Sequence, residues 1–205
     1  MSTFFVIEGV AGSGKTTHIE HLKSLYPDAV FTREPGGTTF GEQARTLLFD
    51  HAKDIDPISQ LYLVHAGRWQ NIIEHIAPAL AAGKTVFCDR FQLSTYAFQV
   101  ASNNRYDLLP HLLETQAQFL EAGVNPHYIF LDAKPEDTLE RLKGREGNDY
   151  FDDLGLEFHT MIYQGYQEGI AELGLPCTII DATKPLEEVQ QDVVKTVKEL
   201  IQQNQ

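Results

Sequence analysis

A run of aromatic and β-branched residues, Phe4-Phe5-Val6-Ile7, empties through Glu8 into Gly9-Val10-Ala11-Gly12-Ser13-Gly14-Lys15-Thr16-Thr17, which has the spacing Gly-x-x-x-x-Gly-Lys-Thr. These residue types in this order can hold phosphate. Gly9, Gly12 and Gly14 let successive backbone N–H groups curl round an anion, and a helix opening near Ser13 adds its positive end. Lys15 can reach the outer phosphates, Thr17 follows in the same turn, and the Thr16 hydroxyl can ligand Mg²⁺. The spacing therefore implies a P-loop and a nucleoside triphosphate as ligand. A glycine-rich turn matching by chance is the alternative, but a strand before and a helix after are the context that the motif requires.

A second run, Thr85-Val86-Phe87-Cys88-Asp89-Arg90, delivers an acid and a base at the end of a buried strand. That is the edge where ligands bind in open parallel sheets. Asp89 can act on Mg²⁺ through water, and Arg90 can fork onto an acceptor phosphate. A surface Asp-Arg pair would look the same. The third run, Arg33-Glu34-Pro35-Gly36-Gly37-Thr38, precedes a helix carrying Arg45, and its glycines allow close backbone approach to a ligand. By itself it also reads as a plain turn.

The elements that must hold these runs alternate along the chain. Strand patterns fall at 4–8, 29–33, 85–89, 128–132 and 177–181, all but the second ending in a carboxylate. Helical patterns fall at 15–25, 40–49, 57–82, 94–99, 107–122, 135–142, 154–173 and 186–202. Such alternation predicts βαβ units and an α/β fold with a five-stranded parallel sheet flanked by helices in three layers. The 205 residues, 42% of them hydrophobic, suit one domain, 1–205. Lys143 to Tyr150 has two glycines and no apolar periodicity, so a mobile lid is expected about 143–152.

Sixteen basic against 29 acidic residues give a formal charge of −13, which argues against a nucleic acid polymer or an anionic membrane surface as partner. Phosphate must then be held by local cations. Cys88 and Cys177 lie in apolar strand-like runs and read as reduced core residues of a cytoplasmic protein. No signal peptide and no membrane-spanning run is evident.

GTPases, ATPase motors and small kinases all carry P-loops. Ile129 to Lys134 does not supply the Asn-Lys-x-Asp run of a GTPase, motors are usually larger, and several separated arginines suit two phosphorylated substrates clamped together. The three runs, in this order, resemble the bacterial thymidylate kinase family over nearly the whole chain. Arg33 to Thr38 matches its Arg-Glu-Pro-Gly-Gly-Thr, and Asp89, Arg90, Ser94, Thr95, Phe98 and Gln99 match its next motif. Arg68, Pro78-Ala79-Leu80 and the closing Ile180 to Val189 also correspond.

The resemblance implies a P-loop kinase fold, transfer of the γ-phosphoryl of ATP to dTMP, and Mg²⁺ between Thr16 and the phosphates with Asp89 in its outer shell. It implies that Arg45 and Arg90 grip the acceptor phosphate and that Arg68 and Gln99 read the pyrimidine. Ser94 and Thr95 would fix the base and metal side of the pocket, while Glu34 and Pro35 line the nucleoside wall. Phe98 stands where tyrosine is usual, beside the sugar 2′ position. Most relatives pair as homodimers, with the 57–82 helix the expected contributor.

Three positions depart from the family pattern. Ala11 replaces an acidic P-loop residue that orients the acceptor sugar. Val64 replaces the aromatic residue that stacks on thymine, and because such stacking is worth roughly 1–3 kcal/mol per base, its loss would weaken base affinity by about tenfold or more. Asp149-Tyr150 stands where lids often carry Asp-Arg, leaving Arg145, or alternatively Arg141, as the lid cation. These departures leave room for another pyrimidine deoxynucleotide, such as a 5-substituted dUMP, and for a nucleotide-binding regulator with little turnover.

Overall fold

Continuous apolar strands are expected where a sheet is covered on both faces, and the chain builds such a sheet. The computed structural model describes residues 2–142, 150, 151 and 153–203. Its strands are β1 (Phe4–Glu8), β2 (Val30–Arg33), β3 (Val86–Asp89), β4 (Pro126–Asp132) and β5 (Cys177–Asp181), all parallel, in the order β2-β3-β1-β4-β5. Register brings Ile7 opposite Asp89, Glu8 opposite Phe130, Arg33 opposite Asp89 and Asp132 opposite Asp181, so the charged strand ends share one edge.

Alternation along β1 divides the core. Phe4 and Val6 face a cluster with Leu61, Ile76, Leu112 and Tyr166, while Phe5 and Ile7 face one with Leu22, Val189 and Val193. The second face is covered by α1 (Lys15–Leu25) and the last helix, Leu186–Gln203. The first is covered by α3 (Pro57–Asn71), α4 (Ala77–Ala81), α5 (Gln92–Thr95), α6 (Leu109–Glu121) and α8 (Leu156–Glu172), with α2 (Thr39–Asp50) packed on α3 and α7 (Pro135–Leu142) following β4. Numbered on, the last helix is α9. The result is the expected three-layer α/β arrangement.

Two expected helices differ in detail. The 57–82 helix is interrupted by a wide five-residue turn, Ile72–Ile76, in which Ala77 N–H bonds to Ile72 O. Pro78 offers no N–H, and its ring would crowd an ordinary preceding turn. The 94–99 helix starts earlier, as α5, and opens into a second wide turn at Tyr96–Val100 before a tight turn at Ala101–Asn103. Strand β4 begins at Pro126, before the expected 128, because the register pairs Pro126 and His127 with Phe4 and Phe5.

Helix α8 presses closely on the 92–103 segment. A Cβ on Gly169 would lie 2.8 Å from Tyr96 Cδ1 and 2.9 Å from Leu93 Cδ1, and one on Gly165 would lie 3.0 Å from the Ala97 Cα. Overpacking of this kind is costly. Gly169→Val is expected to lower stability by about 1–3 kcal/mol, visible as a fall of roughly 2–10 °C in the midpoint of thermal unfolding.

Candidate active site

The loop between β1 and α1 needs three left-handed or extended positive-φ glycines: Gly9 at φ 153°, Gly12 at 74° and Gly14 at 93°. Close approach forces two of them. A Cβ on Gly9 would sit 2.6 Å from Ser13 Oγ, and one on Gly12 would sit 2.6 Å from Thr138 O. No side chain caps α1 and its first turn carries no acid, which leaves the positive end of the helix for an anion. Lys15, nearly buried, curls back so that Nζ donates to Gly9 O and Val10 O, each at 3.0 Å.

A cleft lies outside this loop, lined by Gly12, Ser13, Gly14, Lys15, Thr16 and Thr17. Arg141 and Lys184 border it, and Pro185, Leu186 and Val189 form an apolar wall. Arg141 Nη1 donates to Gly12 O at 3.4 Å, while Lys184 pairs with Asp192 at 2.9 Å. Charged loop and apolar wall together suit a nucleotide's phosphates and base. Thr16 also faces a neighbouring cavity with Asp89, Arg33 and Gly37. There Asp89 Oδ1 is buried with no hydrogen-bond partner among the described residues. An orphaned carboxylate oxygen on a cavity that a threonine also lines fits a hard cation such as Mg²⁺, which takes few protein oxygens and keeps water and phosphate ligands.

On the other side of the loop, a cavity is bordered by Ala11, Glu34, Pro35 and Val64, and by Phe49, Phe151 and His159. Arg68 is the hub of its floor. It stands 3% exposed, with Nε on Glu34 Oε2 at 2.6 Å, Nη1 on Gln92 Oε1 at 2.6 Å and Nη2 on Thr95 Oγ1 at 2.8 Å. Its guanidinium carbon lies 4.6 Å from the centre of the Phe91 ring. Asn71, at the end of α3, receives the Thr32 hydroxyl at 2.8 Å and offers Nδ2 to Glu34 at 3.5 Å. Burial pushes the Glu34 carboxyl up to about 7 despite the opposing pull of Arg68.

Arg90 forms the seam between the two clefts. Its backbone holds φ 66°, a left-handed conformation that costs a non-glycine residue about 1–3 kcal/mol. Nη1 donates to Gly9 O at 3.2 Å, to Ser94 Oγ at 3.2 Å and to Tyr166 Oη. Behind it, the fully buried Glu8 carboxylate accepts from Phe91 N at 2.8 Å, Ser94 N at 3.1 Å and Ser94 Oγ at 2.7 Å. Burial raises the Glu8 pKa, with Arg90 and these donors working against it. The Arg90 guanidinium also sits over Phe98, 5.5 Å from its centroid. Phe151 meets Phe98 and Phe49 edge-on at 5.4 and 5.7 Å, adding an aromatic wall.

The structure thus brings Glu34, Pro35, Val64, Arg68, Arg90, Ser94, Thr95, Phe98 and Gln99 to one cavity. Arg45 stands just behind that lining, its Nη1 on Pro35 O at 3.1 Å and its guanidinium 4.2 Å from the Phe49 ring centre. Arg68, expected to face a base, has a partner inside the protein for each of its three nitrogens. Gln99 Nε2 donates to Gln60 Oε1 at 3.3 Å. Arg145 and most of the expected lid lie outside the described residues. Sequence reasoning did not nominate Glu8, Gln92, Phe151, His159 or Tyr166. Only Glu8 carried a signal, as a carboxylate ending an otherwise apolar strand.

Comparison with known proteins agrees with this geometry. The family model described as thymidylate kinase matches residues 7–193. A thymidylate kinase of Symbiobacterium thermophilum is 36% identical over 208 residues, covering 98% of this chain and 95% of that protein. One of an Exiguobacterium species is 35% identical over 207 residues, covering 98% and 96%. The crystal structure of thymidylate kinase from Ehrlichia chaffeensis superposes with a TM-score of 0.73 at 27% identity, covering 96% of this chain and 98% of that one. A P-loop cleft, a second cavity across the loop and full-length similarity lead to one conclusion: the chain belongs to the thymidylate kinase family.

Proposed function

We propose that the chain transfers the γ-phosphoryl of ATP to dTMP, giving ADP and dTDP. One observation carries this reading. Lys15, from the triphosphate cleft, and Arg90, from the second cavity, both donate to the same Gly9 carbonyl, at 3.0 and 3.2 Å. Two cations converging on one point suit a reaction whose catalysis is mostly positioning and neutralisation of charge. The in-line attack of an acceptor phosphate oxygen on the γ-phosphorus would pass over this seam, breaking the bond to the β-bridging oxygen.

Each residue then has a task. The loop amides, Lys15 and Thr17 hold the donor phosphates, and Arg141 borders them. Arg90, supported by Arg45 from just behind the lining, draws in the acceptor phosphate, while Arg68, Thr95 and Gln99 shape the pyrimidine side. Phe98 walls the sugar. Thr16 and Asp89 would hold Mg²⁺, which when bound neutralises charge on the transferring group. The reading keeps 1–205 as one kinase domain with a lid about 143–152, from which Arg145 would supply a further cation.

The surroundings extend the reading. No helix among the described residues is long and apolar enough to cross a membrane. The unpaired thiols of Cys88 and Cys177 suit a reducing compartment, so we assign the chain to the cytoplasm. Phe40 and Leu47 on α2, with Trp69 and Ile73 from the end of α3 onward, are 42–49% exposed at helical spacing. Large apolar side chains exposed on two neighbouring helices suit an interface, and we assign them to a homodimer.

A coupled assay over a panel of nucleoside monophosphates is expected to show dTMP as the preferred acceptor; absence of dTDP above background would overturn the proposal. Lys15→Ala should lower kcat by about 10²–10³-fold. With Glu34 titrating near 7, its charged partnership with Arg68 is complete above that pH and lost below it. The acceptor KM is therefore expected to rise as pH falls through 7, while the ATP KM holds. Glu34→Gln should remove that limb and leave the ionisation of the acceptor's own phosphate. Trp69→Glu should convert a dimer to a monomer in sedimentation, and a monomeric parent protein would refute the interface.

A further inference from the structure

Glu8 and Arg90 end neighbouring segments of the sheet, yet no direct ion pair joins them among the described residues. Hydroxyls stand between them. Arg90 Nη1 donates to Ser94 Oγ and Tyr166 Oη, and Glu8 Oε2 accepts from those same two hydroxyls at 2.7 and 3.2 Å. With hydroxyls interposed, the buried carboxylate directs the arginine through their hydrogen bonds, its direct attraction weakening with distance.

Ser94 belongs to the same segment as Arg90, whereas Tyr166 comes from α8, 76 positions along the chain. Tyr166 is completely buried, its ring packs 5.3 Å from that of Phe130, and burial raises its pKa so that the hydroxyl keeps its proton. The glycines on either side serve its reach. Gly165 and Gly169 bring α8 so near to Ala97 and Tyr96 that added methyl groups would touch them at 3.0 and 2.8 Å. The hydroxyl thereby arrives within bonding distance of a side chain whose backbone is already held in an unusual conformation.

We propose that Tyr166 is a positioning residue for phosphoryl transfer, fixing the Arg90 guanidinium at the seam between the two clefts and tying it to α8. This rests on Arg90 acting on the acceptor phosphate. Tyr166→Phe keeps the buried ring and removes only the hydroxyl, so it can be measured in both the parent and the Arg90→Ala backgrounds. In the parent, kcat is expected to fall about tenfold or more with the ATP KM unchanged, as a lost bond to a charged group predicts. In Arg90→Ala, the same change should alter kcat by less than about twofold, because the group being positioned is gone. Parental kcat in Tyr166→Phe, or an equal loss in both backgrounds, would overturn the proposal while Arg90's own role stood. Full turnover by Arg90→Ala would instead remove that role, and the proposal with it.

Discussion

A carboxylate with no access to water must be met by donors on every side, and Glu8 imposes that demand at the centre of this molecule. Removing one partner of such a group leaves a buried charge uncompensated, a penalty of several kcal/mol. Its donors come from Phe91 N, from the amide and hydroxyl of Ser94 and from the Tyr166 hydroxyl, at 2.7–3.2 Å. The end of β1 is therefore locked to the start of α5, and Arg90 lies inside the locked segment. The P-loop begins at the very next residue, Gly9. One desolvated group thus sets the relative placement of the loop that takes a triphosphate and the arginine that faces a second anion.

The chain has a formal charge of −13 and yet is built to hold two phosphorylated molecules. Long-range attraction cannot do this. What the fold supplies is local: helix dipole, loop amides, Lys15 and Arg90, gathered at one end of a sheet in which every strand but β2 finishes in a carboxylate. Glu8, Asp89, Asp132 and Asp181 occupy that edge, and each has a different use. Glu8 is satisfied internally and Asp181 takes the amide and hydroxyl of Thr183 at 3.0 and 2.5 Å. Asp132 receives Tyr163 at 2.9 Å, and Asp89, on the cavity that Thr16 also lines, keeps a buried oxygen with no hydrogen-bond partner among the described residues.

What could be read from the sequence follows from the range of the interactions. The P-loop was legible because its chemistry lies in consecutive residues, and the strands because burial on both faces leaves unbroken apolar runs. Arg68 and Glu34 were recognisable as site residues through their motifs, but not their mutual pairing, which closes over 34 positions. Tyr166 and Phe151 left no trace at all, since an aromatic residue in a helix or after a loop is ordinarily core. Helix 57–82 was legible as a helix but not as an interrupted one, because the local pattern shows apolar period and not the pitch that Pro78 disturbs.

The wide turn Tyr96–Val100 borders the second cavity through Phe98 and Gln99, and the other, Ile72–Ile76, directly follows α3, which brings Val64 and Arg68 to that cavity. Each amounts to an ordinary turn with one residue added, which rotates everything downstream relative to everything upstream. A pocket walled in this way has an unusual evolutionary freedom. Gain or loss of a single codon at either place would swing a whole set of side chains round the acceptor, whereas the triphosphate side, fixed by glycine geometry, admits no such adjustment.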